Sequence, residues 1–312
     1  MRSWSSTLDR AAVDTPSLRA DFSEQRKRVA ERSRAEYMAA RLLLPTSLLP
    51  DVVAVVAFMH DSDDLLDRAL PGEGISRLAS WEEQTREALQ SGDSPDSTLR
   101  CLVSACGRHP GLRDRVESFL RGAAVEASWV GFGSEAEYKE YVAAYSLPAF
   151  MLSACLLRQG SEDAAAYEGH CHELIDAMQR IDFLSDLAED VASGRLGISL
   201  ETLDCHGLAP EDLKRGLSPD SSALDQLVRQ QVERAEESLA AARGLTTMVN
   251  PDCGPFVSAL FEVQELRAHA VRRAGALVLV APPDISGLRL ARLLIKYLAK
   301  AIWKRAATAG GQ

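Results

Sequence analysis

Two clusters of carboxylates stand out in this chain, and their spacing suits one kind of chemistry. The first is HDSDDLLD, residues 60–67. Asp63 and Asp67 are four residues apart and share a helix face, with His60 one turn earlier and Asp64 adjacent. The second is QRIDFLSDLAED, residues 179–190, where Gln179, Asp182, Asp186 and Asp190 fall at i, i+3, i+7 and i+11 with Glu189 beside them. Ile181, Phe183, Leu184 and Leu187 fill the intervening positions, as a buried helix requires. A polar line with such flanks points to a polar cavity. Like charges at helical spacing repel, so each cluster is destabilising until a cation arrives. Mg²⁺ is a hard ion that takes oxygen ligands, keeps several waters and shares its other positions with phosphate. Two carboxylate-rich walls therefore suit a Mg²⁺-diphosphate site. The competing reading of each cluster is a solvated or capping run of charge. An EF-hand does not fit, because Leu66 stands where that loop requires Gly.

The elements that must position these residues read as helices. Apolar residues recur at three and four through segments near 22–43, 48–69, 75–91, 111–130, 135–158, 162–193, 221–248, 254–280 and 284–306. Breakers such as Pro45, Pro71-Gly72, Pro110-Gly111, Gly160, Pro219, Pro251 and Pro282-Pro283 separate them. No alternating pattern suggests a sheet, and Ala276–Val280 reads as the end of a helix. Without a long linker or a repeat, one all-α domain over 22–306 is expected, after a flexible segment 1–21 and before a disordered tail 307–312. Gly207–Ser222 reads as a longer surface connection.

Composition narrows the class of function. The chain has 35 Lys and Arg against 45 Asp and Glu, a net charge of −10. That argues against nucleic acid, which demands a basic footprint. Cys101, Cys106, Cys155, Cys171, Cys205 and Cys253 form no CxxC pair, so reduced thiols are expected. The first twenty residues lack the apolar core of a signal peptide, and Val52–Met59, the longest aliphatic run, is too short to span a bilayer. A cytoplasmic protein is expected. The tract Gly169-His170-Cys171-His172-Glu173 reads as helix surface, since i and i+2 point to different faces. No Ser-His-Asp or Cys-His arrangement and no phosphate-cradling Gly loop is evident. In 289–305, Arg289, Arg292, Lys296, Lys300, Lys304 and Arg305 occur without an acidic residue, beside Leu290, Leu293, Leu294, Tyr297, Leu298 and Ile302. A terminal helix packed on the bundle and a peripheral membrane contact both fit that composition.

With these motifs in hand, the sequence resembles the squalene/phytoene synthase superfamily over about residues 22–280. AFMHDSDDLLD (57–67) is similar to that family's Ala-Phe-x-Arg-x-x-Asp-Asp-x-x-Asp. AMQRIDFLSDLAEDVASGRL (177–196) resembles its Gln-x-x-Asn-x-x-Arg-Asp-x-x-Glu-Asp-x-x-x-Gly-Arg, with Gln179, Asp186, Glu189, Asp190, Gly194 and Arg195 in register. Tyr138, Val142 and Ala143 match its Tyr-x-x-x-Val-Ala-Gly, and RAEYMAARLLLP (34–45) matches the helix ending in Leu-Leu-Pro. The resemblance implies an orthogonal helical bundle of the isoprenoid synthase type, with a central cavity between the two acidic motifs. It implies Mg²⁺ held by Asp63, Asp64, Asp67, Asp186, Glu189 and Asp190. It also implies a diphosphate met by Arg34, Tyr37, His60, Gln179 and Arg195, with Tyr138, Asp182 and Asp186 in catalytic positions.

The departures are specific. His60 and Ser185 stand where the family has Arg, and Asp182 where it has Asn. The upstream Ser-rich stretch reads Arg34-Ala35-Glu36-Tyr37. Ala144 and Leu147 replace Gly, Pro148 follows, and Gly197 replaces a Tyr. Arg is the usual bidentate phosphate clamp, so losing two guanidiniums and gaining Asp182 and Glu36 disfavours two diphosphates in one cavity. Leu147 and Pro148 add bulk that would shorten a prenyl channel. The expectation is a prenyltransferase that moves a short allylic group, dimethylallyl in the first instance, from its diphosphate to an aromatic acceptor. The phytoene-synthase-like enzymes of bacterial secondary metabolism that prenylate ortho-quinone carbazoles are the branch it resembles. Head-to-head condensation of two prenyl diphosphates and a non-catalytic scaffold are the alternatives.

Overall fold

The chain was analysed as a computed structural model describing residues 3–67, 74–160, 163–216 and 221–309. Its helices are α1 (Trp4–Arg10), α2 (Pro16–Arg32), α3 (Arg34–Leu43), α4 (Leu49–Asp67), α5 (Gly74–Ser91) and α6 (Ser97–Arg108). There follow α7 (Pro110–Ser128), α8 (Glu135–Tyr141), a π-helical turn (Val142–Ser146), α9 (Leu147–Ala154), α10 (Ala164–Ser185) and α11 (Leu187–Ser193). The rest are α12 (Leu200–Cys205), α13 (Pro210–Lys214), α14 (Ser222–Ala241), α15 (Leu245–Met248), α16 (Gly254–Ala274) and α17 (Gly287–Ala309). No β-strand forms among the described residues. Isolated bridges join Gly131 to Leu196 and Arg158 to Val249.

The boundaries follow local chemistry. Asp96 accepts from the Thr98 and Leu99 amides and so starts α6. Ser134, Asp163, Ser199 and Ser221 cap α8, α10, α12 and α14 in the same way, each such cap being worth about 1 kcal/mol. Proline occupies the first turn of α2, α7, α13 and α16, where its missing N–H costs nothing.

Helix α4 explains its long aliphatic run. Val53 and Ala57 belong to a core with α3, α9, α10, α14 and α16, while Ala54, Val55 and Phe58 belong to a second core with α1, α2, α5, α6 and α7. A helix buried between two cores must be apolar nearly all round. Around it the packing closes a ring. α4 packs on α2, α2 on α3, α3 on α16, α16 on α10, α10 on α9, and α9 back on α4. α4 and α10, which carry the acidic motifs, are thus joined mainly through intermediaries. This is the all-α bundle that the resemblance implied.

Several sequence expectations are corrected. The segment expected to be flexible, 1–21, holds α1 and the start of α2, with Leu8 and Val13 buried in the second core. Of the expected tail 307–312, residues 307–309 continue α17 and the remainder lies outside the described residues. Helix α6 was not anticipated, although Leu99, Leu102 and Ala105 are fully buried. The helix expected over 22–43 breaks at Ser33. That over 254–280 ends at Gly275, with a 3₁₀ turn over Gly275–Leu279. The surface connection contains α13, and its residues 217–220 lie outside the described ones.

Two further breaks fall in the motifs. Pro148 has no N–H for the Ala144 carbonyl, and the preceding turn widens to a π form in which the Leu147 amide donates to the Val142 carbonyl. Gly122 of α7 lies against that turn, and a Cβ there would come within 2.1 Å of the Ala144 oxygen. The second break separates α10 from α11 at Asp186. Ser185 Oγ donates to the Ile181 carbonyl at 2.7 Å, competing with its own amide for that acceptor, an arrangement that bends helices.

Candidate active site

The first acidic motif sorts its carboxylates to different neighbours. Asp61 accepts from Thr98 Oγ1 at 2.7 Å and pairs with Arg28 of α2. Asp64 pairs with Arg32, whose guanidinium also meets the His60 carbonyl at 3.3 Å. Arg28, Arg32, His60 and Asp64 line a cleft of about 440 Å³ between α2 and α4. His60 Nε2 lies 3.4 Å from Ser33 Oγ. Burial and the nearby Arg32 charge hold its imidazole below the ordinary range, so it is neutral at pH 7. Asp63 points elsewhere, toward the π-helical turn, where the Tyr145 hydroxyl donates to it at 3.5 Å. Asp67 ends α4 at the register of Asp63, and its side chain lies outside the described residues.

That same turn reaches the second motif. Ser146 Oγ donates to Gln179 Oε1 at 2.9 Å. One π turn therefore touches Asp63 on α4 and Gln179 on α10, and the two acidic helices flank it. Farther along α10, Asp182 is paired with Arg267 of α16. Its carboxyl is raised by burial, with Arg267 opposing. Asp186 sits at the kink, exposed, with no ion partner among the described residues. Partial shielding from solvent by its neighbours raises its carboxyl, and so do the Asp182 and Asp190 charges. Asp190 is buried and 3.4 Å from Arg195, and burial raises it too. Glu189 is exposed. The Gly-Arg of this motif ends α11: Gly194 takes the left-handed conformation at φ 81°, and the Arg195 amide donates to the Asp190 carbonyl at 2.8 Å.

Other expected residues are engaged differently. Tyr138 is 3% exposed. Its hydroxyl donates to the Asp176 carbonyl at 3.1 Å, and the Arg180 guanidinium lies 4.2 Å over its ring. Burial holds its phenol far above the usual range. Its one proton is committed to a backbone acceptor, and its ring packs in the aromatic cluster with Phe132, Tyr141 and Phe183. The departure at Gly197 belongs to this cluster, since a Cβ there would lie 2.2 Å from the Phe183 ring. Arg34 is exposed at the start of α3, and Tyr37 is buried with its hydroxyl 3.5 Å from Arg41. Arg195 lies over the Trp129 ring at 5.5 Å. His170 and Cys171 do not combine: His170 Nδ1 meets the Ala241 carbonyl, while Cys171 is buried.

Sequence reading missed Arg28, Arg32, Tyr145 and Arg267. Only Tyr145 had a local signal, Pro148 in a helical stretch, which foretells a distorted turn.

The donor set suits magnesium. Among the described residues no three His, Cys, Asp or Glu side chains converge on one point, as a protein-built cage would require. Mg²⁺ more often takes one or two carboxylates, waters and substrate phosphates, and the mutually repelling Asp182, Asp186 and Asp190 suit an arriving cation.

Comparison with known proteins agrees with this geometry. The profile of the squalene/phytoene synthase family matches residues 30–292. The bifunctional protein CrtB/UppS of Streptomyces coelicolor is 29% identical over 206 residues, 65% of this chain but 36% of that protein's length. The phytoene synthase of Mycobacterium tuberculosis is 24% identical over 287 residues, 89% of this chain and 92% of that protein. Among solved structures, a dehydrosqualene synthase superposes with TM-score 0.78 at 21% identity, covering 92% of this chain and 98% of the other. Squalene synthase HpnC from Alicyclobacillus acidocaldarius gives 0.76 at 19% identity, covering 88% and 99%. At these identities the structural matches establish the fold.

Proposed function

This chain belongs to the squalene/phytoene synthase family, prenyltransferases acting on prenyl diphosphates, and from that premise we propose that it transfers a short allylic group to an aromatic acceptor. The observation that carries this reading is the Asp182–Arg267 pair. Where the family motif offers a neutral Asn and a nearby Arg, this chain has a carboxylate and Ser185, and the guanidinium that Arg267 brings is spent on Asp182. A second diphosphate meets no net positive charge there. Leu147 and Pro148 further favour a short donor.

In this reading Asp63, Asp64, Asp67, Asp186, Glu189 and Asp190 are the residues that would hold Mg²⁺, which when bound would supply charge neutralisation for the leaving diphosphate, an effect worth several kcal/mol. Tyr145 orients Asp63. Ser146 occupies the Gln179 carbonyl oxygen, which leaves the amide hydrogens to donate to a diphosphate oxygen. His60, Arg34 and Arg195 would supplement this contact. The donor's C–O bond breaks as diphosphate departs. A ring carbon of the acceptor bonds to the allylic carbon, and Asp182, paired with Arg267, takes the displaced ring proton.

Head-to-head condensation is the second reading, favoured by relatives that are named phytoene synthase. Diphosphate release with Mg²⁺ separates the two. We expect release from dimethylallyl diphosphate only when an ortho-quinone or other electron-rich aromatic compound is added. Release from a long prenyl diphosphate alone, with a hydrocarbon product, would establish the second reading instead.

A further inference from the structure

Helix α17 exposes more than its packing requires. Leu293, Tyr297 and Ala301 are buried against Leu43 and Ala259, which uses its most apolar face. On the outer side Leu288, Ile295 and Ile302 recur every seven residues, 61%, 67% and 57% exposed, and Trp303 joins them at 75%. A seven-residue repeat keeps them in one line along the helix. Eight large hydrophobic side chains are exposed by 47% or more among the described residues. Four lie on α17, and two more, Leu277 and Val280, lie in the segment leading into it. Single exposed apolar residues are ordinary, but this concentration is not.

The same side carries positive charge. Arg289, Arg292 and Lys300 are exposed next to the apolar line, and no Asp or Glu occurs in 287–309. Lys296 is partly engaged with Glu262. At the N-terminal end, His269 and Arg273 of α16 and Arg289 of α17 line a cleft of about 240 Å³, with Asp284 and Ser286 on its edge. The chain as a whole is at −10, so α17 is a cationic strip on an anionic body.

We propose that α17 is a peripheral attachment helix whose outer face lies on an anionic lipid bilayer. Leu288, Ile295, Ile302 and Trp303 enter the acyl boundary, and Arg289, Arg292 and Lys300 meet the headgroup phosphates. A hydrophobic groove on a protein partner would take an apolar helix face, and that face is already buried against the body. What remains is a line about 22 Å long, with cations beside single apolar side chains. That composition matches a charged headgroup layer over hydrocarbon, and Trp favours that boundary. No helix among the described residues is long and apolar enough to cross a membrane, so the contact is with the surface. The proposal stands whether or not the acceptor is aromatic.

Deleting α17 would uncover Leu43 and Ala259, so the test uses point variants of the full chain. Binding is measured by co-sedimentation with neutral phosphatidylcholine vesicles and with vesicles containing phosphatidylglycerol, at low and high salt. We expect binding to the anionic vesicles only, lost at high salt. Each basic residue near such a surface is worth about fivefold in partitioning, so Arg289→Gln with Arg292→Gln should weaken binding by more than tenfold. Ile295→Asp with Trp303→Asp should abolish it, with helical circular dichroism unchanged. No binding by the wild type, equal binding to both vesicles, or variants that bind like the wild type would each overturn the proposal.

Discussion

Asp186 carries a like-charge cost that the proposed metal role would offset. Its carboxyl is raised above the ordinary 3.8 by partial shielding from solvent and by Asp182 and Asp190. A group easier to protonate in the folded chain lends stability below its unfolded value, and that contribution is lost as pH rises through the folded one. Asp186→Asn should therefore make the metal-free protein more stable than wild type at pH 7, by about 0.3–0.5 kcal/mol per like-charge neighbour removed. The difference should vanish as pH falls toward 4, which urea denaturation at several pH values will measure. A variant less stable at pH 7 would mean that the carboxylate has a partner. At this scale the acids were legible because carboxylates in a line on an apolar helix have few other uses. Their partners were not. Arg267 lies 85 residues from Asp182 in sequence, and nothing local to either residue foretells the pairing. For Tyr138 the motif fixes the residue's type but not the direction of its hydroxyl, which meets the Asp176 carbonyl.

Among the elements, the π turn over Val142–Ser146 depends on two residues outside it. Pro148 withholds a hydrogen bond, and Gly122 lets α7 approach. Gly122→Ala forces its Cβ onto the Ala144 carbonyl, 2.1 Å away. Helix α7 must then move off the turn, at a cost of about 1–3 kcal/mol. We expect a lower denaturation midpoint and weaker catalysis as Tyr145 and Ser146 shift. An unchanged midpoint would show that the turn yields freely. Helical periodicity carried most of the elements into view, but it was silent about interruptions. Ser33 and Ser185 are ordinary helix residues by composition, and the hydrogen-bond competition at Ser185 is something a hydrophobic pattern does not record. Helix α6 escaped notice because it is short and follows a loop rich in Ser, Asp and Pro.

For the whole molecule, the ring of helices places the two acidic walls on either side of the π turn, so neither wall alone should hold an anion. Inorganic diphosphate and Mg²⁺ together are expected to raise the thermal midpoint, through a stabilisation of about 2.7 kcal/mol at a hundredfold excess over Kd. Diphosphate without metal should have no effect, and scanning calorimetry separates the cases. Stabilisation by diphosphate alone would point to Arg28 and Arg32 as the anion site. The two walls also differ mechanically. Helix α4 is gripped by a core on each side, which makes it a fixed jaw. Helix α10 gives way to α11 at a serine hinge directly beside Asp186. We therefore expect any adjustment around a substrate to fall at this kink, with α4 unmoved.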